Sequence, residues 1–210
     1  DRYSAIVGNT EEVARILASG KNVVTPLNWF YPGKRYVSLL EKSCLAGRST
    51  LHGTGIHPGG ITERFPLMIS ALSSVITHVR AEEFSDIRTY NAPAVISDIM
   101  LFGKTPEEAA ASPMVGFLGQ GFGQSMDMVA AEMGFDVDSE GISAHDVAVA
   151  TAAIDSPIGV IQPGLVAAQR FTWQHTVRGE PVITVRVNWF MGEENLEPAW
   201  NFGPQGERFE

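Results

Sequence analysis

Cysteine is nearly absent from this 210-residue chain, where Cys44 stands alone. One thiol excludes an internal disulfide and any cysteine-pair metal centre. In an apolar helical stretch it reads as a small buried hydrophobe. With no signal-peptide pattern, the expected compartment is reducing and cytoplasmic. Positive charge is also scarce. Fifteen Lys and Arg stand against 24 Asp and Glu, a formal net charge of −9. That balance argues against non-specific binding to nucleic acid or anionic membranes. No uninterrupted apolar run is long enough for a transmembrane helix. The best stretch, Phe65 to Val79, is broken by Pro66, Ser70, Ser73, Ser74, Thr77 and His78.

Several catalytic signatures are missing too. No Gly-x-Ser-x-Gly elbow occurs, which leaves serine hydrolase chemistry unsupported. The histidines at 52, 57, 78, 145 and 175 have no metal-ligand spacing. Asp136, Asp138 and Glu140 alternate without the calcium-loop pattern and read as a solvated turn. Glycines 116, 119, 121 and 123 lack the preceding strand that a dinucleotide loop requires, so close helix packing or a flexible loop is the better reading.

What is present points to a globular α/β protein, since 44% of residues are hydrophobic and 19% charged. Asn9-Thr10-Glu11-Glu12 reads as a helix start, and Gly20 ends that helix. Asn22 to Thr25 reads as a short buried strand. A helix from Lys34 to Ala46 and a strand from Ser49 to Gly53 follow. This alternation predicts a parallel sheet with covering helices, whose ligand crevice lies at the carboxyl ends of the strands. Two loops occupy that position, Thr25 to Gly33 and Gly53 to Gly60. The second holds four glycines and a proline, which implies a close backbone approach.

A long helix is then expected, with Ile61, Phe65, Met68, Ile69, Leu72, Ile76 and Val79 as one apolar stripe. A strand-like segment, Val79 to Tyr90, follows it. Thr105-Pro106-Glu107-Glu108 reads as another helix start. Near the end, Gln169, Phe171, Trp173 and His175 share one face of a strand. Ile183, Val185, Val187 and Trp189 share one face of the next. Arg178 to Pro181 turns the chain between them, making an antiparallel hairpin with an aromatic face that needs cover. The expected class is α/β plus α+β: residues 1–60 form a partial Rossmann-like cofactor domain, and residues 61–210 form an α+β substrate and oligomerisation domain with a mixed or antiparallel sheet.

Gly20-Lys21-Asn22-Val23-Val24-Thr25, followed by Gly53-Thr54-Gly55-Ile56-His57-Pro58-Gly59, resembles the second half of the cofactor domain of dihydrodipicolinate-reductase-like proteins. Within them the nearest branch resembles 2,4-diaminopentanoate dehydrogenase and the amine dehydrogenases, with many actinobacterial members. The later Asn188-Trp189 and Leu196-Glu197-Pro198-Ala199-Trp200 resemble that branch as well. The resemblance implies NADP or NAD as cofactor and hydride transfer to a C=O or C=N carbon. It also implies a homodimer or homotetramer built through the carboxyl-terminal sheet. The family's phosphate-binding glycine motif would lie upstream of anything present, so the chain reads as a fragment without it. By position, Thr25, Pro26, Gly53, Thr54 and Gly55 match the loops that approach the nicotinamide.

Two departures bear on chemistry. Glu82-Glu83 and Asn91-Ala92-Pro93-Ala94-Val95 stand where dihydrodipicolinate reductases carry a His-His pair, a Lys and an Asp-Ala-Pro-Ser-Gly-Thr run. The Asn28-Trp29 pair stands where amine dehydrogenases carry a glutamate. The expectation is therefore a bulky hydrophobic carbonyl or imine substrate, polarised by Tyr31, Asn28 or His57. Trp29 would line the pocket, with Glu83 as a second lining residue. The competing expectation is a non-catalytic small-molecule binding or oligomerisation protein that retains the fold.

Overall fold

A computed structural model describes residues 10–32, 34–201 and 208–209. The elements run α1 (Thr10–Ala18), β1 (Val23–Thr25), α2 (Lys34–Gly47), β2 (Leu51–Gly53), a π-type turn (Ile56–Arg64), α3 (Phe65–Ser70), β3 (Val79–Asp86), α4 (Pro93–Asp98), α5 (Pro106–Ala110), α6 (Met114–Met133), β4 (Ile142–Ala150), β5 (Ile154–Ser156), β6 (Gly159–Ile161), β7 (Val166–Val177), β8 (Glu180–Phe190), β9 (Leu196–Glu197) and β10 (Arg208–Phe209). They form two compact units. The first holds residues 1–77 and 117–137, the second 78–116 and 138–210. The boundary at residue 60 is thus displaced to 77, and the first unit reclaims most of α6. The expected capping residue Asn9 lies outside the described residues.

In the first unit, β1 and β2 pair in parallel, with Val23 opposite Leu51 and Thr25 opposite Gly53. Helix α1 turns Val13, Ala14 and Leu17 inward, where they meet Trp29 and Leu40. Val23, Cys44 and Leu51 pack against this cluster, so Cys44 serves as a small apolar filler. The α1–α2 crossing depends on Gly47, because a Cβ there would overlap the Leu17 carbonyl. The expectation of a buried β1 is corrected, since Val24 is 68% exposed. The core takes Val23 and Leu51, while strand alternation turns Val24 and His52 to the opposite, open face.

The expected long helix is also corrected. His57, Pro58 and Gly59 are non-helical, in keeping with the loop read there, but α3 stops at Ser70 instead of reaching Val79. Leu72 and Met68, from the anticipated stripe, are 87% and 65% exposed. Helix α6, in contrast, begins at Met114, just ahead of Gly116, and carries the glycine cluster within its first half. Gly121 is tightly packed, with an added Cβ meeting both the Phe30 ring and Pro58 at 3.4 Å.

The second unit is a six-stranded mixed sheet in the order β10-β3-β8-β7-β4-β9. Strand β3 runs parallel to β8, and the other neighbours are antiparallel. The β7–β8 hairpin forms where it was read. It turns at Arg178 (φ 56°) and Gly179 (φ 82°), the left-handed pair that a two-residue primed turn requires. Asp138 secures that turn and is no mere solvated acid. Its carboxylate accepts from Thr176 Oγ1 at 2.6 Å and from the Arg178 and Gly179 amides at 3.0 and 2.9 Å. The Thr176 hydroxyl, then those amides, hold the carboxyl below its ordinary range.

The aromatic face is buried within the single chain, with Phe171 fully covered and Trp173 6% exposed. Phe171 stacks on His145 at 4.3 Å and meets Trp189 edge-on at 5.4 Å. Burial pushes the His145 pKa down, and its Nε2 pairs with Gln169 Oε1 at 3.0 Å. Gln169 in turn donates to the Met100 carbonyl. A second core gathers Ile96, Phe102, Ile161, Phe190 and Met191 under α4 and the small β5–β6 hairpin. Helix α5 opens with the expected cap, Thr105 and Glu108 bonding reciprocally.

Candidate functional site

The carboxyl ends of β1 and β2 converge, joined by one backbone hydrogen bond and by close packing at two glycines. The Thr54 amide donates to the Thr25 carbonyl at 2.9 Å, extending the parallel ladder into both loops. A Cβ at Gly53 would overlap the Trp29 carbonyl and crowd the Phe30 amide, so only glycine permits this approach. A Cβ at Gly55 would stand 3.7 Å from the Pro26 side chain. Of the residues read as approaching a cofactor, Thr25, Pro26, Gly53, Thr54 and Gly55 therefore do lie side by side. Thr25 Oγ1 also accepts from the Leu27 amide at 3.2 Å, which curls the first loop back on its own strand.

Trp29 has a different place from the one expected. It is 4% exposed, belongs to the core between α1 and α2, and takes a left-handed φ of 61°. A bulky residue adopts that conformation only when its surroundings hold it there. It is a pillar under the loop rather than an open pocket wall. Its neighbour Tyr31 is 42% exposed at the loop's outer side.

Asn28 is engaged within the protein. Its Oδ1 accepts from the Trp29 amide at 2.8 Å and from Gln124 Nε2 at 2.6 Å. Gln124 also accepts from the Tyr31 amide at 3.3 Å. One α6 side chain thus holds both ends of the Asn28–Tyr31 segment. No local sequence signal marks Gln124, because its partners lie more than ninety positions away.

His57 sits in the second loop, half-buried. Its Nδ1 pairs with Thr62 Oγ1 at 2.9 Å, and its ring tilts against Phe122 at 4.7 Å. With the hydroxyl donating to Nδ1 the ring proton lies on Nε2, and in the other tautomer Nδ1–H donates to the hydroxyl. Adjacent Glu63 was not singled out in the sequence. It is 1% exposed, and its Oε2 accepts from the Gly59 amide at 3.1 Å. Desolvation raises its pKa, and the nearby Ser125 hydroxyl, the Gly59 amide and Arg64 only partly oppose that rise.

Glu83 belongs to the second unit. Its Oε1 accepts from Ser85 Oγ at 2.8 Å and from Trp189 Nε1 at 3.0 Å. Neighbouring Glu82 faces the other side of the sheet, where it meets Arg80, Arg186 and Asn188. Strand alternation separates the two acids as expected. Among the described residues, no group of three or more His, Cys, Asp or Glu is placed to hold a metal ion. No described helix is long and apolar enough to cross a membrane.

With this geometry in hand, relatives can be compared. No family model matches the chain. It is 24% identical over 204 residues to an amine dehydrogenase from Streptomyces virginiae, covering 93% of this chain and 55% of that protein. Its fold matches the solved structure of an amine dehydrogenase from Mycobacterium smegmatis with a TM-score of 0.69 at 18% identity, over 96% of this chain and 58% of that one. The chain therefore spans somewhat more than half the length of the relatives it matches, and it shares the fold of a dehydrogenase.

Proposed function

We propose that the protein is an NAD(P)H-dependent oxidoreductase that transfers hydride to the C=O or C=N carbon of a hydrophobic small molecule. The observation that carries this reading is the convergence of the two strand-end loops, fastened by the Thr54–Thr25 bond and the Gly53–Trp29 approach. The similarity to amine dehydrogenases agrees with it. In an open parallel sheet, ligands bind beyond the carboxyl ends of the strands.

The residues there fit the ring end of a nicotinamide cofactor. Pro26 and Leu27 are exposed beside Thr54 and Gly55, so a flat ring would meet apolar side chains and accessible backbone. Bound there, the cofactor would supply the hydride. The chain's own residues do the rest. Leu27 and Ile56, 54% and 60% exposed, offer apolar surface to substrate. Through Nε2, His57 donates a hydrogen bond toward the substrate heteroatom. Tyr31 is the second donor available on the first loop.

A binding-only reading draws on Asn28. A carboxylate at that place, as the family resemblance implies for amine dehydrogenases, can take a proton; an amide whose oxygen already accepts two bonds cannot. One titration series separates the two readings. NADH and NADPH are added to the full-length gene product while tryptophan fluorescence is followed. Carbonyls and amines are then screened by the change in nicotinamide absorbance. The enzyme reading expects quenching by one cofactor and turnover of an apolar substrate, with His57→Asn and Tyr31→Phe each lowering kcat about tenfold or more. Quenching without turnover leaves the binding-only protein, and quenching by neither cofactor ends both readings.

The same reading includes a homodimer or homotetramer formed through the second unit's sheet. Since the aromatic face is already covered, association would use the opposite face. A monomer in sedimentation velocity would remove this part of the proposal.

A further inference from the structure

The π-type turn places two consecutive buried residues against the loop that precedes them. Thr62, 2% exposed, reaches back to His57, and Glu63, 1% exposed, reaches back to Gly59. Between these contacts the backbone leaves helical geometry. Gly59 takes φ 129° and ψ −104°, a conformation that side chains other than glycine rarely adopt. Such a loop has little intrinsic preference for one shape, so its shape must come from the groups that hold it. The Gly59 amide is one of them, and its acceptor is Glu63.

Glu63 is an unusual choice for a purely structural acceptor. Burying a carboxyl is costly, and here the cost is only partly offset. Oε2 has its amide, while Oε1 is buried without a hydrogen-bond partner. Ser125 Oγ on α6 is likewise fully buried without one, although it stands near enough to favour the charged carboxyl. A well-packed leucine would avoid this expense if shape alone were needed. The remaining charged neighbour is Arg64, whose guanidinium pairs with exposed His52.

We propose that Glu63 is a positioning residue: it clamps Gly59 and so fixes, together with Thr62, the orientation of His57 in the candidate site. The inference deepens the oxidoreductase reading, because His57 matters there as a donor, but its test requires no cofactor. Glu63 acts through the loop and touches no reacting atom in this scheme. Protonated or charged, the carboxyl retains an oxygen for the amide.

The test is nuclear magnetic resonance of the wild type and the variants E63Q, E63L and E63D, with hydrogen exchange of the Gly59 amide and the titration of the His57 ring as readouts. E63Q keeps an acceptor of the same reach and is expected to preserve both. E63L keeps the volume and removes the acceptor. It is expected to lower Gly59 protection about tenfold and to move the His57 titration midpoint and tautomer. Should E63L fail to accumulate as folded protein, E63D decides, since its side chain is one methylene too short to reach and the same losses are expected. The proposal is overturned if E63L or, in its place, E63D leaves the His57 titration unchanged, or if E63Q disturbs it as much as they do. Failure of the wild type to bind either cofactor, with the expected shifts seen in the variants, would count against the oxidoreductase reading alone.

Discussion

Gly53→Ala is expected to destabilise the first unit by about 3 kcal/mol, at the upper end of what overpacking usually costs. The added methyl has nowhere to go. It would overlap the Trp29 carbonyl and crowd the Phe30 amide, which are backbone atoms rather than flexible side-chain ends. Relief would require Trp29 to move. Its indole lies in the core with Val13, Leu17 and Leu40, and its backbone is already left-handed. The damage should therefore spread from the strand end to the α1–α2 packing. Gly123→Ala is the control. Its Cβ would meet nothing within 4 Å inside α6, so a gain of about 0.5–1 kcal/mol is expected from helix propensity. Chemical denaturation measures both. If the Gly53 variant matches its parent, the two loops do not meet as described, and the candidate site goes with them.

Glu82→Ala should cost about 3 kcal/mol. Glu82 is 2% exposed in the middle of the mixed sheet. It accepts from Arg80 Nε at 2.8 Å and from Asn188 Nδ2 at 2.9 Å, with Arg186 at 3.5 Å. Asn188 is fully buried and would lose this acceptor, keeping only the Glu83 carbonyl. The lower part of the range for a broken buried pair applies, because the Arg80 and Arg186 side chains are 55% and 28% exposed and can turn to water. Glu82→Gln keeps an oxygen for Asn188 and should cost about 1 kcal/mol.

The same residue makes stability depend on pH. Burial alone would raise the Glu82 pKa, but bonds from Arg80 and Asn188 and the nearby Arg186 charge outweigh it, and the net shift is downward. A depressed carboxyl stabilises the fold fully above its unfolded value of about 4.3. That contribution drains away as pH falls from there through the folded value. Thermal unfolding between pH 7 and pH 3 should show a steeper acid decline in the wild type than in Glu82→Gln. Parallel curves would assign the acid sensitivity to other groups.

The residues differ in how much of this they announce. The β7–β8 hairpin was legible because its alternation has period two and its turn carries Arg178-Gly179. The α5 cap and the two strand-end loops were legible for similar reasons, since capping and glycine placement are local rules. The stripe from Ile61 to Val79 misled because helical spacing says nothing about what stands opposite. The helix stops at Ser70, before the second half of the stripe. Strand β4 went unread, its alternation being blurred by small residues such as Ala144, Ala148 and Ala150. Trp29 was read as a pocket wall because nothing local distinguishes a wall from a pillar. Glu63, Gln124 and Ser125 gave no signal at all. Each matters only through a partner that the folded chain brings near, and for Gln124 that partner is 96 positions away.

The interleaving of the two units has a consequence for biosynthesis. Residues 117–137 complete the first unit, and β3 finds its parallel partner β8 only after about a hundred further residues. On a ribosome, Asn28 must emerge and wait until Gln124 has left the exit tunnel before its loop can be fastened. The emerging β3, meanwhile, has Arg80 beside Glu82 but must wait for Arg186, Asn188 and Trp189. Neither unit can finish while the chain is short: the first waits for residues 117–137 and the second for β8.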